Sequence, residues 1–116
     1  MSKPNIIQLS EFDITQKIIE SLSNVCTRSV LFSVKNESKD ATQIAEELKI
    51  SISTVYKTLS TLEDLALAEV DRFVISPEGK KIKMYRSRIG KVEITLDNLE
   101  PSLNLYPNTD NPKSSL

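Results

Sequence analysis

The spacing of apolar residues in the first third of the chain predicts two short helices. Between residues 11 and 23, and again between 24 and 35, apolar residues recur every three or four positions, which is the helical period. The first stripe consists of Phe12, Ile14, Ile18, Ile19 and Leu22, and the second of Cys26, Val30, Leu31 and Val34. Ser10 and Asp13 are placed to cap the first helix. We expect both stripes to face a common core.

Residues 40–65 predict two more helices with a tight turn between them. Asp40 and Gln43 match a capping pair at the start of the first, whose apolar face consists of Ile44, Ala45 and Leu48. After a turn at residues 49–51, Ser51 suits the N-cap of a second helix. The inward positions of that helix are Val55, Leu59 and Leu62. Its outward face is polar and carries Ser53, Lys57, Ser60 and Thr61, flanked by Thr54 and Tyr56.

Beyond residue 67 the helical period gives way to the alternation that is typical of strands. Residues 68–76 and 82–88 predict two strands, and residues 77–81 between them contain the Pro and Gly of a turn. Residues 91–97 alternate as a third strand that would extend the same sheet. We expect an irregular arm over residues 1–9, a single domain over 10–98 and a flexible tail over 99–116, where Pro, Asn and Ser accumulate. Docking of Leu103, Leu105 and Tyr106 on the domain is the alternative for the tail.

Charge is distributed unevenly along the chain. The 116 residues have a net charge of only −1, but residues 72–91 contain seven basic residues and one acidic residue. An acidic body with a basic hairpin can orient on a polyanion such as DNA. Alternation places two groups on opposite faces of the hairpin: Lys81, Lys83, Tyr85 and Ser87 on one, and Lys80, Ile82, Met84, Arg86 and Arg88 on the other. We therefore expect positive charge on both faces.

A motif in residues 45–62 makes the pattern more specific. It is A-x-x-L-x-I-S-x-S-T-V-Y-K-x-L-x-x-L, followed by L-x-L-A-E-V and the basic hairpin. Over about residues 10–97 the chain resembles the winged helix-turn-helix transcription regulators of the ArsR-type superfamily, in particular small archaeal members. The resemblance implies an α+β fold in which helices pack with a small antiparallel wing. Lys49 and Ala66 stand where such proteins often have Gly, so we expect strain in a left-handed turn at Lys49.

These features predict a sequence-specific transcription regulator that binds double-stranded DNA. The recognition helix, about residues 51–63, would lie in the major groove, and the wing, residues 72–88, would contact the backbone and the minor groove. The candidate residues on the helix are Ser51, Ser53, Thr54, Tyr56, Lys57 and Thr61. The candidate residues in the wing are Arg72, Lys80, Lys81, Lys83, Arg86 and Arg88.

Other interpretations of the same features stay open. Polar outer faces are common on surface helices, and lysines on an edge strand discourage pairing between molecules. Tyr85 either stacks on a base or sugar or is a half-buried strand residue. Cys26 is either a small buried apolar residue or an oxidisable thiol. The alternative functions are a winged-helix adaptor in a transcription complex and a nonspecific nucleic-acid-binding protein, with RNA as a further possible ligand.

The predicted partner besides DNA is a second copy of the chain. Related regulators often pair through the N-terminal helix and the segment after the wing, where Val92, Ile94, Leu96 and Leu99 are apolar. A homodimer would place two recognition helices about 34 Å apart, one turn of DNA. A monomer is the alternative.

Composition argues against catalysis, metal binding and membrane insertion. The chain has no His, one Cys and two Gly residues, so a His-based acid or base, a thiolate pair and a glycine-rich phosphate loop are all excluded. We expect no enzyme activity, no cofactor and no metal. No stretch approaches the roughly 18 apolar residues of a membrane helix, and the N-terminus lacks a secretory pattern, which predicts a cytoplasmic protein.

Overall fold

The computed structural model describes residues 6–109, with side chains from Ile14 onward. The four helices are α1 (Ile6–Ser23), α2 (Val25–Ser33), α3 (Ala41–Leu48) and α4 (Ile52–Asp64). The four strands are β1 (Ala68–Ile75), β2 (Lys81–Ser87), β3 (Ile89–Thr95) and β4 (Ser102–Pro107). Helix α1 begins within the predicted arm, residues 1–5 and 110–116 lie outside the described residues, and so do the side chains of the predicted Ser10–Asp13 cap and of Phe12.

Side-chain caps fix where the middle helices begin. Asn24 accepts a hydrogen bond from the Thr27 N–H at the start of α2. Asp40 and Gln43 form a complete capping box at the start of α3, which confirms the predicted pair. The Ser51 side chain accepts from the Thr54 N–H at the start of α4, again as predicted. These caps set the direction in which α4 leaves the turn.

Two non-glycine residues close the helical turns in the left-handed conformation. Lys49, at the end of α3, has φ 58°, and Ala66, after α4, has φ 60°. A side chain in this region crowds the following carbonyl oxygen, which costs roughly 1–2 kcal/mol for a non-glycine residue. The strain predicted at Lys49 is therefore present, and the surrounding helices hold the turn in place.

The helices share one core, and most of the inward positions predicted for α2, α3 and α4 are confirmed, while Ala45 and Leu48 of α3 are partly buried at its edge. Seven of these side chains are completely buried: Val30, Leu31, Val34, Ile44, Val55, Leu59 and Leu62. Ile18 and Leu22 of α1 are also buried in this cluster. Cys26, predicted to face inward, is instead partly exposed. The resulting core supports the back of α4 and leaves its other side to solvent.

The wing is the hairpin of β1 and β2. The two strands pair antiparallel from Ala68 opposite Ser87 to Ile75 opposite Lys81, with an irregularity between Val70 and Arg72. On its other edge β2 exchanges two backbone hydrogen bonds with Lys39, through Tyr85 N–H to Lys39 O at 2.8 Å and Lys39 N–H to Tyr85 O at 3.1 Å. The connection between α2 and α3 thus covers one edge of the wing.

A second hairpin follows the wing and differs from the prediction for this region. Strand β3 pairs with β4 rather than with the wing, with Val92 opposite Leu105 and Ile94 opposite Leu103. Strand β4 lies in the segment that we expected to be flexible. Its Pro and Asn content favours a tail, but Leu103 and Leu105 complete an apolar face with Val92 and Ile94, and Leu103 packs against the core.

Candidate nucleic-acid interface

Helix α4 presents a polar face to solvent. All six residues predicted on this helix are exposed: Ser51, Ser53, Thr54, Tyr56, Lys57 and Thr61. Because Val55, Leu59 and Leu62 are buried on the opposite side, the exposed face is fixed in direction. Tyr56 is the largest side chain on this face, and 54% of its surface is exposed. A helix with such a face can lie in a DNA major groove.

Several of the hydroxyl groups on α4 already have hydrogen-bond partners. Ser51 Oγ accepts from the Thr54 N–H and donates to Thr54 Oγ1 at 2.7 Å, while Thr61 Oγ1 donates to the Lys57 carbonyl oxygen. The hydroxyls of Ser51 and Thr54 therefore stabilise the beginning of the helix. Lys57 and Tyr56 are the long side chains left to reach outward.

The wing lysines lie around a tight turn. Gly79 has φ 84°, its N–H donates to Ser76 O, and the Lys80 N–H donates to Ser76 Oγ. Lys80, Lys81 and Lys83 are all exposed. Within the described part of the chain no carboxylate forms an ion pair with any of the three. Their positive charge is available to an external anion.

The wing arginines are in different surroundings. Arg72 Nη1 lies 3.1 Å from Asp71 Oδ2, which also accepts from Ser38 Oγ, and Arg88 Nε lies 4.0 Å from Glu69 Oε1. The Nε and Nη2 atoms of Arg86 are buried and have no hydrogen-bond partner among residues 6–109. By sequence alone the six wing cations form one set. In the structure the three lysines near the turn are exposed and form no ion pair in the described range, whereas the three arginines are either beside a carboxylate or partly buried.

A groove connects the wing to the helices. It has a volume of about 430 Å³ and lies between the start of α3, the exposed Tyr56 and the wing. Its walls consist of Asp40, Ala41, Thr42, Tyr56, Lys80, Lys81, Ile82, Lys83 and Tyr85. The structure therefore brings one predicted helix residue and three predicted wing lysines to one concavity. Thr42 was not singled out from the sequence, because only the fold places the start of α3 beside the wing.

Tyr85 forms the floor of this groove rather than a binding surface. Its side chain is 4% exposed, and burial raises its pKa, with smaller contributions from Glu63 and Tyr56. Of the two interpretations of Tyr85, the structure supports the buried strand residue. The exposed aromatic ring in the walls of this groove is that of Tyr56.

A second surface is apolar and lies between the first two helices and the second hairpin. A groove of about 310 Å³ separates α1 and α2 from β3, with Leu22, Ser23, Arg28, Phe32, Val92 and Ile94 as its walls. Arg28 Nη1 donates to the carbonyl oxygens of Leu22 and Ser23 at 2.8 and 3.2 Å, which closes the end of α1. Ile94 is also partly open to solvent, and three further apolar side chains of the second hairpin and its loop are exposed: Leu96, Leu99 and Leu105.

Other chemistry is sparse in the described residues. Among residues 6–109 no cluster of His, Cys, Asp or Glu side chains could hold a metal ion. None of the helices in the same range is long and apolar enough to cross a membrane.

Comparison with known proteins identifies the fold. No family model matches the chain, and no curated protein matches it. A solved structure, NolR from Sinorhizobium fredii, superimposes with a TM-score of 0.57 and 18% sequence identity, covering 75% of this chain and 81% of that chain. Together with the four helices and the antiparallel wing, this likeness shows that the chain has an α+β winged-helix fold.

Proposed function

We propose that the chain is a sequence-specific transcription regulator that binds double-stranded DNA and has no enzyme activity. The observation that carries this proposal is the groove in which Tyr56 of α4 and the unpaired lysines of the wing face one another. In this arrangement α4 lies in the major groove, and the wing contacts the adjacent backbone and minor groove. A cytoplasmic location and membership of the ArsR-type superfamily belong to the same proposal.

The contacts divide by reach and by existing partners. Tyr56 and Lys57 are exposed on α4 and contact base edges, together with Ser53, whose Oγ also forms a hydrogen bond with Ser51 Oγ at 3.2 Å, and Thr61 further along the helix. The hydroxyls of Ser51 and Thr54 hydrogen-bond each other at the start of α4, so in this proposal they contact the DNA backbone there and not the bases. Lys80, Lys81 and Lys83 contact phosphates, and Arg72, Arg86 and Arg88 add a weaker positive field from the base of the wing.

The same proposal includes a homodimer. The exposed side chains of Ile94, Leu96 and Leu99 form an apolar surface beside the groove between α1 and β3. Packing of this surface against a second copy would remove it from water, which is favourable in proportion to the area buried. Two copies of α4 would then read half-sites separated by about one helical turn, roughly 34 Å.

The test of the proposal is selection of bound sequences from random duplex DNA at two salt concentrations. We expect enrichment of an inverted repeat whose half-sites are about one helical turn apart. Salt-dependent binding without an enriched sequence would contradict sequence specificity and favour nonspecific binding. No binding at low salt would overturn the proposal and favour the adaptor role.

A single substitution tests the role of α4 within that experiment. Lys57→Ala should reduce affinity for the selected sequence more than for an unrelated sequence, because a base contact carries specificity. The matched control is Lys17→Ala, which removes an exposed lysine on α1 rather than on α4, and should change neither affinity. Equal weakening of both sequences by Lys57→Ala would assign this lysine to a phosphate instead.

A further inference from the structure

Two large apolar side chains are exposed at the end of the wing. Phe73 and Ile75, both on β1, have 48% and 67% of their surfaces exposed. They lie opposite Lys83 and Lys81 of β2 in the antiparallel register. Because residues directly opposite one another in such a pair project from the same face, all four side chains share one face of the hairpin. Val74 and Ile82, on the other face, are half-buried.

The fold does not account for this exposure. Tyr85 at 4% and Val70, which is partly buried, lie on the same face nearer the helices and attach the wing to the core. Phe73 and Ile75 project beyond that attachment, where a polar residue would serve the strand equally well. Exposed apolar residues on a short hairpin invite unwanted strand pairing, so their presence indicates a contact surface.

The flanking lysines indicate which partner this surface contacts. The Lys81 Nζ atom lies 4.5 Å from the centre of the Phe73 ring, within the range of a cation–π interaction. Lys81 and Lys83 also form part of the groove that reaches Tyr56 on α4. Phe73 and Ile75 are thus bordered by cations and adjoin the groove that reaches α4. This arrangement matches a partner with anionic groups on either side of a flat apolar interior, as in the phosphates and stacked bases of a duplex.

We propose that Phe73 and Ile75 form an apolar wedge that enters the minor groove of DNA and partly unstacks one base step. The inference rests on the proposed DNA-binding function and specifies how the wing takes part in it. On binding, Lys81 moves from the Phe73 ring to a phosphate, which exposes the ring to the bases. Apolar residues inserted between base steps kink the duplex by about 20–90° toward the major groove.

The dimensions of the groove make such a wedge necessary for insertion. Two paired strands are about 4.8 Å apart before their side chains are added. The minor groove of B-form DNA is only about 6 Å wide. The hairpin therefore enters only where the groove is widened, and unstacking of a base step widens it. Flexible pyrimidine–purine steps are the least costly to unstack, so the wedge adds a preference for them.

The test measures the bend of the selected duplex by energy transfer between dyes at its two ends. We expect the wild-type protein to bend the duplex and the double variant Phe73→Ala/Ile75→Ala to leave it nearly straight. The affinity of the variant for the duplex should fall roughly tenfold, because the contacts that the bend allows are lost. The salt dependence of binding should stay unchanged, because no cation is removed. Val25→Ala, which trims another exposed apolar residue, is the matched control and should retain the bend.

A conservative variant separates the wedge from a general loss of fit. Phe73→Leu/Ile75→Met keeps two large apolar side chains and should retain most of the bend. Wild-type binding without a bend, or a bend that survives Phe73→Ala/Ile75→Ala, would overturn the wedge and leave the proposed function intact. Absence of DNA binding by the wild type would overturn both.

A membrane also has a charged surface and an apolar interior. The same variants therefore serve to test whether Phe73 and Ile75 bind lipid instead of DNA. Vesicles of phosphatidylglycerol and phosphatidylcholine serve as the probe in a sedimentation assay. We expect no vesicle binding at the salt concentration where DNA is bent. Vesicle binding that disappears in Phe73→Ala/Ile75→Ala, with no DNA bend in the wild type, would overturn the proposal and assign the two side chains to lipid.

Discussion

The wing and the second hairpin share a backbone plan and differ in their side chains. Both are pairs of antiparallel strands, they follow each other directly in the chain, and each has one irregularity in its register. The wing, residues 68–87, contains five basic residues and three acidic residues. The second hairpin, residues 89–107, contains one basic residue and three acidic residues. The backbone forms a two-stranded sheet in each case, and the charge of the side chains determines which partners each sheet can bind.

The two hairpins also attach to the helices in different ways. The wing is held by a buried tyrosine, Tyr85, and by backbone hydrogen bonds to Lys39. The second hairpin has an exposed tyrosine, Tyr106, whose hydroxyl donates to Glu93 Oε1 at 2.6 Å while Lys91 lies over its ring. The polar face of this hairpin is thus stabilised within itself. The wing is the more firmly anchored of the two.

Truncation of the two tyrosines should sharpen this contrast most strongly. Tyr85→Ala leaves a cavity in the core and should lower the free energy of unfolding by about 3–5 kcal/mol, as for other buried aromatic residues. Tyr106→Ala, the matched change in the second hairpin, should lower it by less than about 1 kcal/mol because 41% of the Tyr106 surface is already exposed and the ring lies outside the core. Urea denaturation measures both. Similar losses for the two variants would show that the second hairpin is anchored as firmly as the wing.

Removal of charge at the wing tip should affect DNA binding next most strongly. The double variant Lys80→Ala/Lys81→Ala should reduce the salt slope of DNA binding by about 1.8, since each phosphate contact contributes about 0.9. Affinity at 0.1 M salt should fall roughly 60-fold by the same relation, with the sequence preference nearly unchanged. Fluorescence anisotropy across a salt series gives both values.

Charge removal in the second hairpin is the control for that experiment. Lys91→Ala removes a cation that already lies 3.3 Å from Glu93, so the slope should stay near that of the wild type. A selective loss of one DNA sequence in Lys80→Ala/Lys81→Ala would assign these lysines to base contacts.

A smaller effect should follow from the turn of the wing. Gly79 has φ 84°, and nothing lies within 4 Å of the position that a Cβ atom would take. Gly79→Ala should therefore lower the free energy of unfolding by about 1 kcal/mol through backbone strain alone. Gly79→Asn should lower it less, because Asn tolerates left-handed backbone better than other residues do. Equal stability of the wild type and Gly79→Ala in thermal unfolding would refute this explanation.

The smallest predicted effect concerns pH and the second hairpin. Hydrogen bonds from Tyr106 and Lys91 to Glu93 hold the pKa of that carboxyl below its usual value of 4.5. A lowered pKa in the folded state means that the carboxylate stabilises the hairpin above the usual pKa, and that this contribution disappears as the pH falls through the lowered one. In Tyr106→Phe the pKa of Glu93 should rise toward 4.5, as measured by NMR titration. An unchanged pKa would show that Lys91 alone causes the shift.

The sequence predicted the parts of the molecule that depend on local pattern. The caps at Asp40 and Ser51 and the buried stripe of α4 follow from residues a few positions apart, and the structure confirms them. Strand β4 was not predicted because it forms by pairing with β3. The alternation of β3 predicts a strand but does not indicate which other strand pairs with it. Local pattern indicates an element, while its neighbours are decided by the packing of the whole chain.

The candidate interface was predictable to the same extent. Alternation correctly separated Lys81 and Lys83 from Met84 and Arg86, but it could not show that Tyr85 is covered by the helices. Nor could it show that the Arg86 Nε and Nη2 atoms are buried, or that Asp71 and Glu69 lie beside two other arginines. Distances between side chains that are far apart in sequence follow only from the fold.

The Asn108 side chain joins the end of the second hairpin to the segment after α2 and to the end of β2. Its Nδ2 atom donates to Lys35 O, 73 positions earlier in the chain, and to Ser87 O, 21 positions earlier. The segment from Ser87 to Asn108 is therefore a closed excursion that leaves and returns at one place. A natural truncation before residue 108 would remove both hydrogen bonds at the base of the wing. These two hydrogen bonds close the second hairpin at its base, next to the end of the wing.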